Sequence, residues 1–302
     1  MTATGTACAE AGLLPAEDIA RAVGHYFTGA AQARPWSVES GLDWDLADAN
    51  RLSEGERSAV QFITLIEDHL QGYFSLYTEN FPVDGSVPPE VYAHNRELYH
   101  FTIRWAYEED THARALTRYQ LASGMGDEAS VREQLIVPGQ ARFELPYTHP
   151  VQFFAYALIQ EKATQIYYQQ LRAVTNDPVL TQVLTRLSPD EARHFTFMAD
   201  IVTSYLRACG DAVVEPVREV VAGFRMPLSD TIRGYWRWAL KIADTADYDH
   251  TDAYDHLIKV INRAVDTPRG ERVDSLLGFI DSLKVSGRTG TGVRGGSPPA
   301  GW

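Results

Sequence analysis

The fold of this chain is decided by the stretch Trp105-Ala106-Tyr107-Glu108-Glu109-Asp110-Thr111-His112, which has an echo in Ser188-Pro189-Asp190-Glu191-Ala192-Arg193-His194. Each stretch has two acidic residues followed by a histidine, in the form acid-Glu-x-x-His. Residues three apart lie on the same face of a helix, so Glu109 shares a face with His112, and Glu191 shares one with His194. The two stretches therefore predict two helices that each present a carboxylate and an imidazole side by side.

Two further glutamates, Glu67 and Glu161, lie in strongly apolar stretches with a helical pattern. A buried carboxylate without a partner costs several kcal/mol, and two divalent cations would neutralise four such carboxylates. The order Glu, Glu-x-x-His, Glu, Glu-x-x-His indicates a duplicated half-site of the kind found in a ferritin-like four-helix bundle with a di-iron carboxylate centre. Mixed carboxylate and imidazole ligands favour iron or manganese over a thiolate zinc or copper site.

A third Glu-x-x-His motif, Glu97-Leu98-Tyr99-His100, precedes the first one on the same predicted helix. Its position is about 120° around that helix from Glu109, so the two motifs cannot face one core. Only the Glu109 motif shares the preceding acidic residue with the second copy. We therefore predict that Glu97 and His100 form a solvated or interface pair.

Composition excludes several classes of protein. A net charge of −13 argues against a nucleic-acid partner. The chain has no apolar run of about 18 residues, so no membrane span is expected, and its first residues lack a signal or transit pattern, which favours a cytoplasmic location. Its two cysteines, Cys8 and Cys209, suggest neither a disulfide framework nor a thiolate metal site.

The helical periodicity predicts an all-α chain: a ferritin-like four-helix bundle with additional flanking helices. We expect a flexible leader over 1–14, the domain over 15–285, and a disordered tail over 286–302. The predicted bundle helices are 53–77, 90–121, 153–174 and 178–209, and the predicted flanking helices are 15–28, 128–135, 212–223, 228–247 and 251–283, the last with a break near Pro268. Pro189 predicts either a kink in the fourth bundle helix or a fresh start capped by Ser188.

Over roughly residues 60–230 the chain resembles the soluble acyl-carrier-protein desaturases. The likeness rests on Trp105 with Glu108-Glu109-x-x-His112, on Glu161-Lys162-Ala163-Thr164, on Asp190-Glu191-x-Arg193-His194 and on Met226-Pro227. It implies a homodimer with two iron ions cycling between Fe²⁺ and Fe³⁺, for which manganese is a possible substitute. It also implies O2 as oxidant, a ferredoxin-type electron donor and an acyl-carrier-protein thioester as substrate.

The resemblance also assigns roles by position. The implied metal ligands are Glu67, Glu109, His112, Glu161, Glu191 and His194. Glu108 and Asp190 would orient the histidines, and the pseudo-two-fold symmetry places Asp190 near His112 and Glu108 near His194. Thr164 would bond an oxygen at the metals and help to deliver protons, or it would simply bond the carbonyl four residues back. Trp36 is the candidate for surface electron transfer, with ordinary packing as the alternative and Trp44 as the weaker choice.

An acidic enzyme with an acidic carrier protein as substrate needs a local basic patch. Arg233, Arg237 and Lys241 recur every four residues and form a candidate docking stripe, although a solvated helix side explains the spacing equally well. The polar run Thr78-Glu79-Asn80 and an alanine after His112 leave acyl chain length and double-bond position open.

The sequence is compatible with three functions. The first is desaturation of a carrier-tethered acyl chain. The second is hydroxylation or another oxidation of a carrier-tethered substrate in specialised metabolism. The third is ferritin-like iron oxidation or storage. A ribonucleotide reductase subunit is disfavoured because position 116, where that class has a tyrosine, is Leu116.

Overall fold

The computed structural model describes residues 12–232, 234–265 and 269–290 of the chain. These residues form α-helices and short 3-10 turns, with no strand among them. The helices are α1 (Ala16–Gln32), α2 (Glu54–Asp68), α3 (Leu70–Asn80), α4 (Pro89–Ala122), α5 (Glu128–Gly139), α6 (Pro150–Val174), α7 (Pro178–Cys209), α8 (Val214–Gly223), α9 (Tyr235–Ala246), α10 (Ala253–Ala264) and α11 (Glu271–Gly290). The all-α class predicted from the sequence is confirmed.

Four helices form the bundle. Helix α6 packs along α7, α2 packs along α4, and α1 covers a face made by α4 and α7. Side-chain caps mark the first residues of two of these helices. Ser53 and Glu56 form a reciprocal capping box at α2, and the Asp177 carboxylate accepts the first free backbone N–H groups of α7.

The bundle interior consists of two apolar clusters separated by a layer of polar residues. On α4, Phe101 and Trp105 belong to the first cluster, while Leu116 and Tyr119 belong to the second. The acidic pair and histidine of α4 lie between them, and α6 and α7 repeat this arrangement. Because all the helices cross the same level, their polar residues meet in the middle of the bundle.

The predicted helix over 53–77 is in fact two helices, because α2 ends at Asp68 and α3 begins at Leu70. The break is at His69, whose ring is fully buried against Tyr73, with 5.2 Å between the ring centroids. A Cβ on Gly72 would lie only 2.2 Å from the Nε2 atom of His69, so the glycine leaves the room that the ring needs. A tertiary contact therefore ends a helix that the local pattern continues.

Helix α7 runs through Pro189 without interruption, so the alternative of a fresh start at Ser188 is wrong. Helix α9 begins at Tyr235, later than the predicted residue 228, because Leu228 and Gly234 both have left-handed backbone conformations, with φ of 60° and 72°. The predicted break near Pro268 is confirmed, since α10 ends at Ala264 and α11 begins at Glu271.

The chain ends differ from the sequence expectation where they are described. Helix α11 continues to Gly290, five residues into the range 286–302 for which a tail was predicted, and the tail itself stays a prediction. Residues 291–302 and residues 1–11 of the predicted leader lie outside the described part of the chain. Cys209 is disulfide-bonded, which the cysteine count did not predict. In the described ranges no helix is both long enough and apolar enough to cross a bilayer.

Candidate metal centre

All six predicted ligands meet in the polar layer of the bundle and are buried. They form two groups whose ligand atoms lie within 4.8 Å of one another: Glu67, Glu109, His112 and Glu191, and Glu109, Glu161, Glu191 and His194. Glu109 and Glu191 belong to both groups. The arrangement is therefore that of two adjacent metal positions bridged by two carboxylates.

The distances between ligand atoms fit metal coordination. The Nδ1 atom of His112 lies 3.1 Å from Oε1 of Glu191 and 3.7 Å from Oε2 of Glu67. The Nδ1 atom of His194 lies 3.0 Å from Oε1 of Glu109 and 3.4 Å from Oε2 of Glu161. Two ligands each about 2.1 Å from one metal are about 3.0 Å apart at a right angle and about 3.4 Å apart at a tetrahedral angle.

Unsatisfied polar atoms give an independent test of the fit. Several buried atoms of these residues have no hydrogen-bond partner, namely Oε1 of Glu109, Nδ1 of His112, Oε2 of Glu161, both Oε atoms of Glu191 and Nδ1 of His194. Buried polar atoms in proteins are nearly always satisfied. Because these unpaired atoms converge and are all good ligands for a hard or borderline metal, the donor set fits a pair of metal ions.

The outward nitrogen of each histidine contacts a carboxylate from the other half of the bundle. Nε2 of His112 lies 3.3 Å from Oδ2 of Asp190, and Nε2 of His194 lies 2.9 Å from Oε2 of Glu108. This crossed pairing is the one that the pseudo-two-fold symmetry predicts, and the contacts are confirmed. A carboxylate on Nε2 fixes the ring so that Nδ1 faces the metals.

Sequence reasoning missed the groups that hold these outer carboxylates. The Tyr26 hydroxyl donates to Oε2 of Glu108 at 2.6 Å, and α1 brings this tyrosine to the bundle from far away in sequence. The Arg193 guanidinium donates to both Glu108 and Asp190, and so links the two halves. Arg193 belonged to the quoted motif, whereas Tyr26 had no local signal beyond its place on an apolar helix face.

The two unshared glutamates each accept a hydrogen bond from a neighbour that the sequence did not single out for this purpose. The Tyr168 hydroxyl donates to Oε1 of Glu67, and the indole N–H of Trp105 donates to Oε1 of Glu161 at 3.2 Å. In each case the other oxygen, Oε2, faces its histidine. The side chains are thereby held with one oxygen toward the metal position.

Without metal, protons take the place of cations. Burial and then the charge of Glu109 raise the pKa of Glu67 to about 8, and the same two causes raise the pKa of Glu191. Burial alone would lower the pKa of both histidines, but their carboxylate partners outweigh it and raise the pKa well above its usual value. The metal-free centre therefore binds protons that a metal must displace.

Thr164 is buried on α6, one turn beyond Glu161, and its Oγ1 atom has no hydrogen-bond partner. The alternative in which it bonds the carbonyl four residues back is not what the structure shows. Thr102 on α4 does make that bond, to the Leu98 carbonyl at 3.1 Å. The Thr164 hydroxyl is thus free to bond a group at the metal centre.

The other predicted residues lie away from the centre. Glu97 pairs with Arg96 at the surface and His100 is exposed, so the third motif is a solvated pair as predicted. Trp36 is half-buried beneath the Arg186 guanidinium, 5.5 Å from its ring centroid, and its role in electron transfer stays a prediction.

The predicted docking stripe of Arg233, Arg237 and Lys241 stays a prediction. Lys241 donates to the Glu54 carboxylate at 2.5 Å and is therefore already paired. Helix α9, which was to carry all three basic residues, begins only at Tyr235. Arg237 is exposed on that helix, and Arg233 lies outside the described residues.

A cleft with about 370 Å³ of empty space, part of it open to solvent, lies beside the metal centre. Its walls come from α3, α4, the segment after α5 and the first half of α6. Most of its lining is aromatic, from Tyr73, Tyr77, Trp105, Phe143, Phe153 and Tyr156. Trp105 belongs both to the cleft and to the centre, because its indole bonds Glu161.

An all-α bundle with two bridged carboxylate–histidine groups in its middle defines a ferritin-like protein with a candidate di-metal centre. The sequence model of the fatty acid desaturase family matches residues 46–265, which is most of the chain. The chain belongs to the fatty acid desaturase family.

Two relatives from Mycobacterium tuberculosis are named "Putative acyl-[acyl-carrier-protein] desaturase DesA1" and "Putative acyl-[acyl-carrier-protein] desaturase DesA2". The first is 25% identical over 229 residues, which is 71% of this chain and 64% of that protein. The second is 26% identical over 196 residues, which is 64% of this chain and 66% of that protein. The matches thus span slightly less than two thirds of the length of either relative.

An X-ray structure of DesA2 from Mycobacterium tuberculosis H37Rv, titled as an acyl-ACP desaturase, has a similar fold. The TM-score is 0.62 at 17% sequence identity, and the superposition covers 87% of this chain and 98% of that one. This likeness confirms the predicted fold class.

Proposed function

We propose that the protein is an O2-dependent di-iron oxidase that introduces a double bond into an acyl chain tethered to acyl carrier protein. One observation carries the proposal above all others: Glu109 and Glu191 each belong to both groups of ligand atoms. Two metals bridged in this way suit a reaction that reduces O2. Membership of a desaturase family and the names of the two relatives support the same reaction.

The chain's own residues would hold the irons as follows. Glu67 and His112 would hold one iron, Glu161 and His194 would hold the other, and Glu109 and Glu191 would serve both. Bound iron supplies the activation of O2, and manganese is a substitute that the same donor set accepts.

The overall reaction requires an external electron donor. Removing two hydrogens from adjacent carbons releases two electrons and two protons, whereas reducing one O2 to two waters consumes four of each. The remaining two electrons come from a ferredoxin-type donor, and the remaining two protons come from solvent. Thr164 is suited to pass protons, because its buried hydroxyl is unpaired beside Glu161.

Two further roles are proposed for electron transfer and for docking. Trp36 remains the candidate surface residue, and the Asp190–His112 contact at 3.3 Å would be the inner end of that route. Since the chain has a net charge of −13, an acidic carrier must dock at a locally basic surface. Arg237 remains a candidate there, while Lys241 must first break its pair with Glu54.

We propose that the protein is a homodimer whose interface includes the outer face of α4. Four exposed apolar side chains follow one stripe of this helix at spacings of seven, four and four residues: Tyr92, Tyr99, Ile103 and Tyr107. Tyr107 is 61% exposed, although it is one residue from Glu108. A second copy would cover an apolar stripe that a monomer leaves in water.

Mass spectrometry tests the reaction directly. The iron-loaded full-length protein is incubated with acyl carrier protein thioesters, reduced ferredoxin and air, and we expect a product lighter by two hydrogens. A product heavier by one oxygen would favour hydroxylation of a carrier-tethered substrate instead. Unchanged thioesters together with uptake of many irons per chain would favour iron oxidation and storage.

A further inference from the structure

The cleft beside the metal centre is lined mainly by aromatic rings. The Tyr73 and Phe143 rings meet edge to face with centroids 4.9 Å apart, and the Phe143 and Tyr156 rings lie 6.1 Å apart. On the other wall, Tyr77 packs against Trp105 at 5.3 Å. These ring contacts hold together the walls that α3, α4, the segment after α5 and α6 contribute to the cleft.

The last turn of α3 does not extend the cleft. Glu79 is exposed and pairs with Arg142 at 3.1 Å, and Asn80 is exposed and bonds the Leu76 carbonyl. An alkyl chain that followed α3 past Tyr77 would therefore reach charged side chains and water. The apolar part of the cleft ends at the aromatic rings.

The volume of the cleft agrees with this limit. A methylene group takes about as much room as a water molecule, which is about 30 Å³ in the liquid. A space of 370 Å³ would then hold at most about 12 such groups even if none of it were open to solvent. The cleft suits a short acyl group better than a long one.

The polar side chains that line the cleft include Gln160 and the tyrosines Tyr73, Tyr77 and Tyr156. The Tyr73 hydroxyl is buried and has no hydrogen-bond partner. Tyr156 lines the same cleft, but its hydroxyl already donates to the Arg225 carbonyl at 3.0 Å. Tyr73 therefore lines the cleft and carries an unused hydrogen-bond donor and acceptor, which a plain alkyl chain cannot satisfy.

We propose that the cleft binds a short acyl group that bears a hydroxyl or carbonyl oxygen, and that the Tyr73 hydroxyl bonds this oxygen. The proposal rests on the proposed function and narrows its substrate class. It makes Tyr73 a residue that sets substrate specificity and position. The bond also fixes which carbons of the chain lie closest to the metals.

Binding is measured by calorimetry with the full-length protein loaded with Mn²⁺ and kept without reductant, so that no turnover occurs. The ligands are acyl carrier protein thioesters of octanoate, of a set of hydroxyoctanoate isomers, and of palmitate. We expect the best hydroxyoctanoyl isomer to bind about tenfold more tightly than octanoyl, which is the effect of one hydrogen bond of ordinary strength. We expect palmitoyl to bind more weakly than octanoyl.

Two matched variants test whether the Tyr73 hydroxyl causes the preference for the hydroxyoctanoyl thioester. Tyr73→Phe removes the unpaired hydroxyl and should abolish the tenfold preference, whereas Tyr156→Phe removes a hydroxyl that is already bonded and should keep it. Both changes leave the ring in place, and circular dichroism checks the fold. A preference that survives in Tyr73→Phe would overturn the role of Tyr73, and tightest binding of palmitoyl would overturn the size limit. Failure of all the thioesters to bind would overturn the proposal as a whole.

If the proposed function is wrong but the cleft binds as proposed, the experiments give a different result. In that case the thioesters bind with the expected order, but iron, reduced ferredoxin and air change the mass of none of them.

Discussion

Glu191 and Glu161 differ in the number of metal positions they serve, and this difference predicts unequal effects of two identical substitutions. Glu191 belongs to both groups of ligand atoms, and Glu161 belongs to one. We expect Glu161→Gln to lose one metal, because the group around His112 stays complete. We expect Glu191→Gln to lose both, because each group loses a carboxylate oxygen.

The size of the effect follows from linkage between metal binding and folding. A metal held at a hundred times its dissociation constant stabilises the folded protein by about 2.7 kcal/mol per site. For a chain of this length about 1 kcal/mol shifts the melting temperature by about 2 °C, so each metal adds about 5 °C. Added Mn²⁺ should then raise the melting temperature by about 10 °C in the wild type, by about 5 °C in Glu161→Gln and by almost nothing in Glu191→Gln.

The metal-free proteins should differ little. Burial and the charge of Glu109 raise the pKa of Glu191, which favours the protonated, neutral side chain when no metal is bound. Replacing a neutral carboxylic acid with a neutral amide of the same shape removes no charge. A smaller rise in melting temperature on adding Mn²⁺ then reports weaker metal binding and not a change in folding.

Differential scanning fluorimetry with and without Mn²⁺ measures the shifts, and elemental analysis after gel filtration counts the metals. Glu97→Gln is the matched control, since Glu97 belongs to the solvated third motif and should keep the full shift. A Glu191→Gln variant that still gained the wild-type shift would show that the two metal positions do not share this carboxylate.

Three further predictions follow from the same geometry. Metal affinity should fall as pH drops below about 8, because the metal must displace the proton that burial holds on Glu67, and a dissociation constant independent of pH in this range would contradict it. Asp190→Asn and Glu108→Gln should each weaken metal binding by about 10-fold to 100-fold in a Mn²⁺ titration, because each removes the carboxylate that orients a histidine. If a variant kept wild-type affinity, its carboxylate–histidine contact would make no contribution to metal binding. Ile103→Lys should convert the dimer to a monomer in sedimentation experiments. Ile136→Lys changes an equally exposed apolar position on α5 and should leave the dimer intact. A dimer that survives Ile103→Lys would place the interface elsewhere.

The ligand set could be predicted from the sequence because it depends on local helical geometry. A spacing of three residues puts Glu109 and His112 on one face of any helix, and the same holds for the second motif. The angle around the helix also sufficed to reject the third motif. The crossed contacts of Asp190 and Glu108 followed from the duplication, without knowledge of the loops.

What the sequence could not predict depends on contacts between distant segments. Tyr26 reaches Glu108 from α1, and Tyr168 reaches Glu67 from the opposite side of the bundle, at positions that look like ordinary core tyrosines. The break at His69 comes from a buried ring that packs on another element. The late start of α9 has a similar cause, because Gly234 adopts a left-handed conformation and α9 starts just after it.

The duplication makes the ligands symmetrical, but the surroundings of the two metal positions differ. Glu67 is held by Tyr168, which lies in the second apolar cluster, fully buried. Glu161 is held by Trp105, whose ring also forms a wall of the cleft. One position thus faces a closed core, and the other faces the space that a substrate can enter. The difference between Tyr168 and Trp105 predicts that an acyl chain in the cleft would lie closer to the metal position of Glu161 than to that of Glu67.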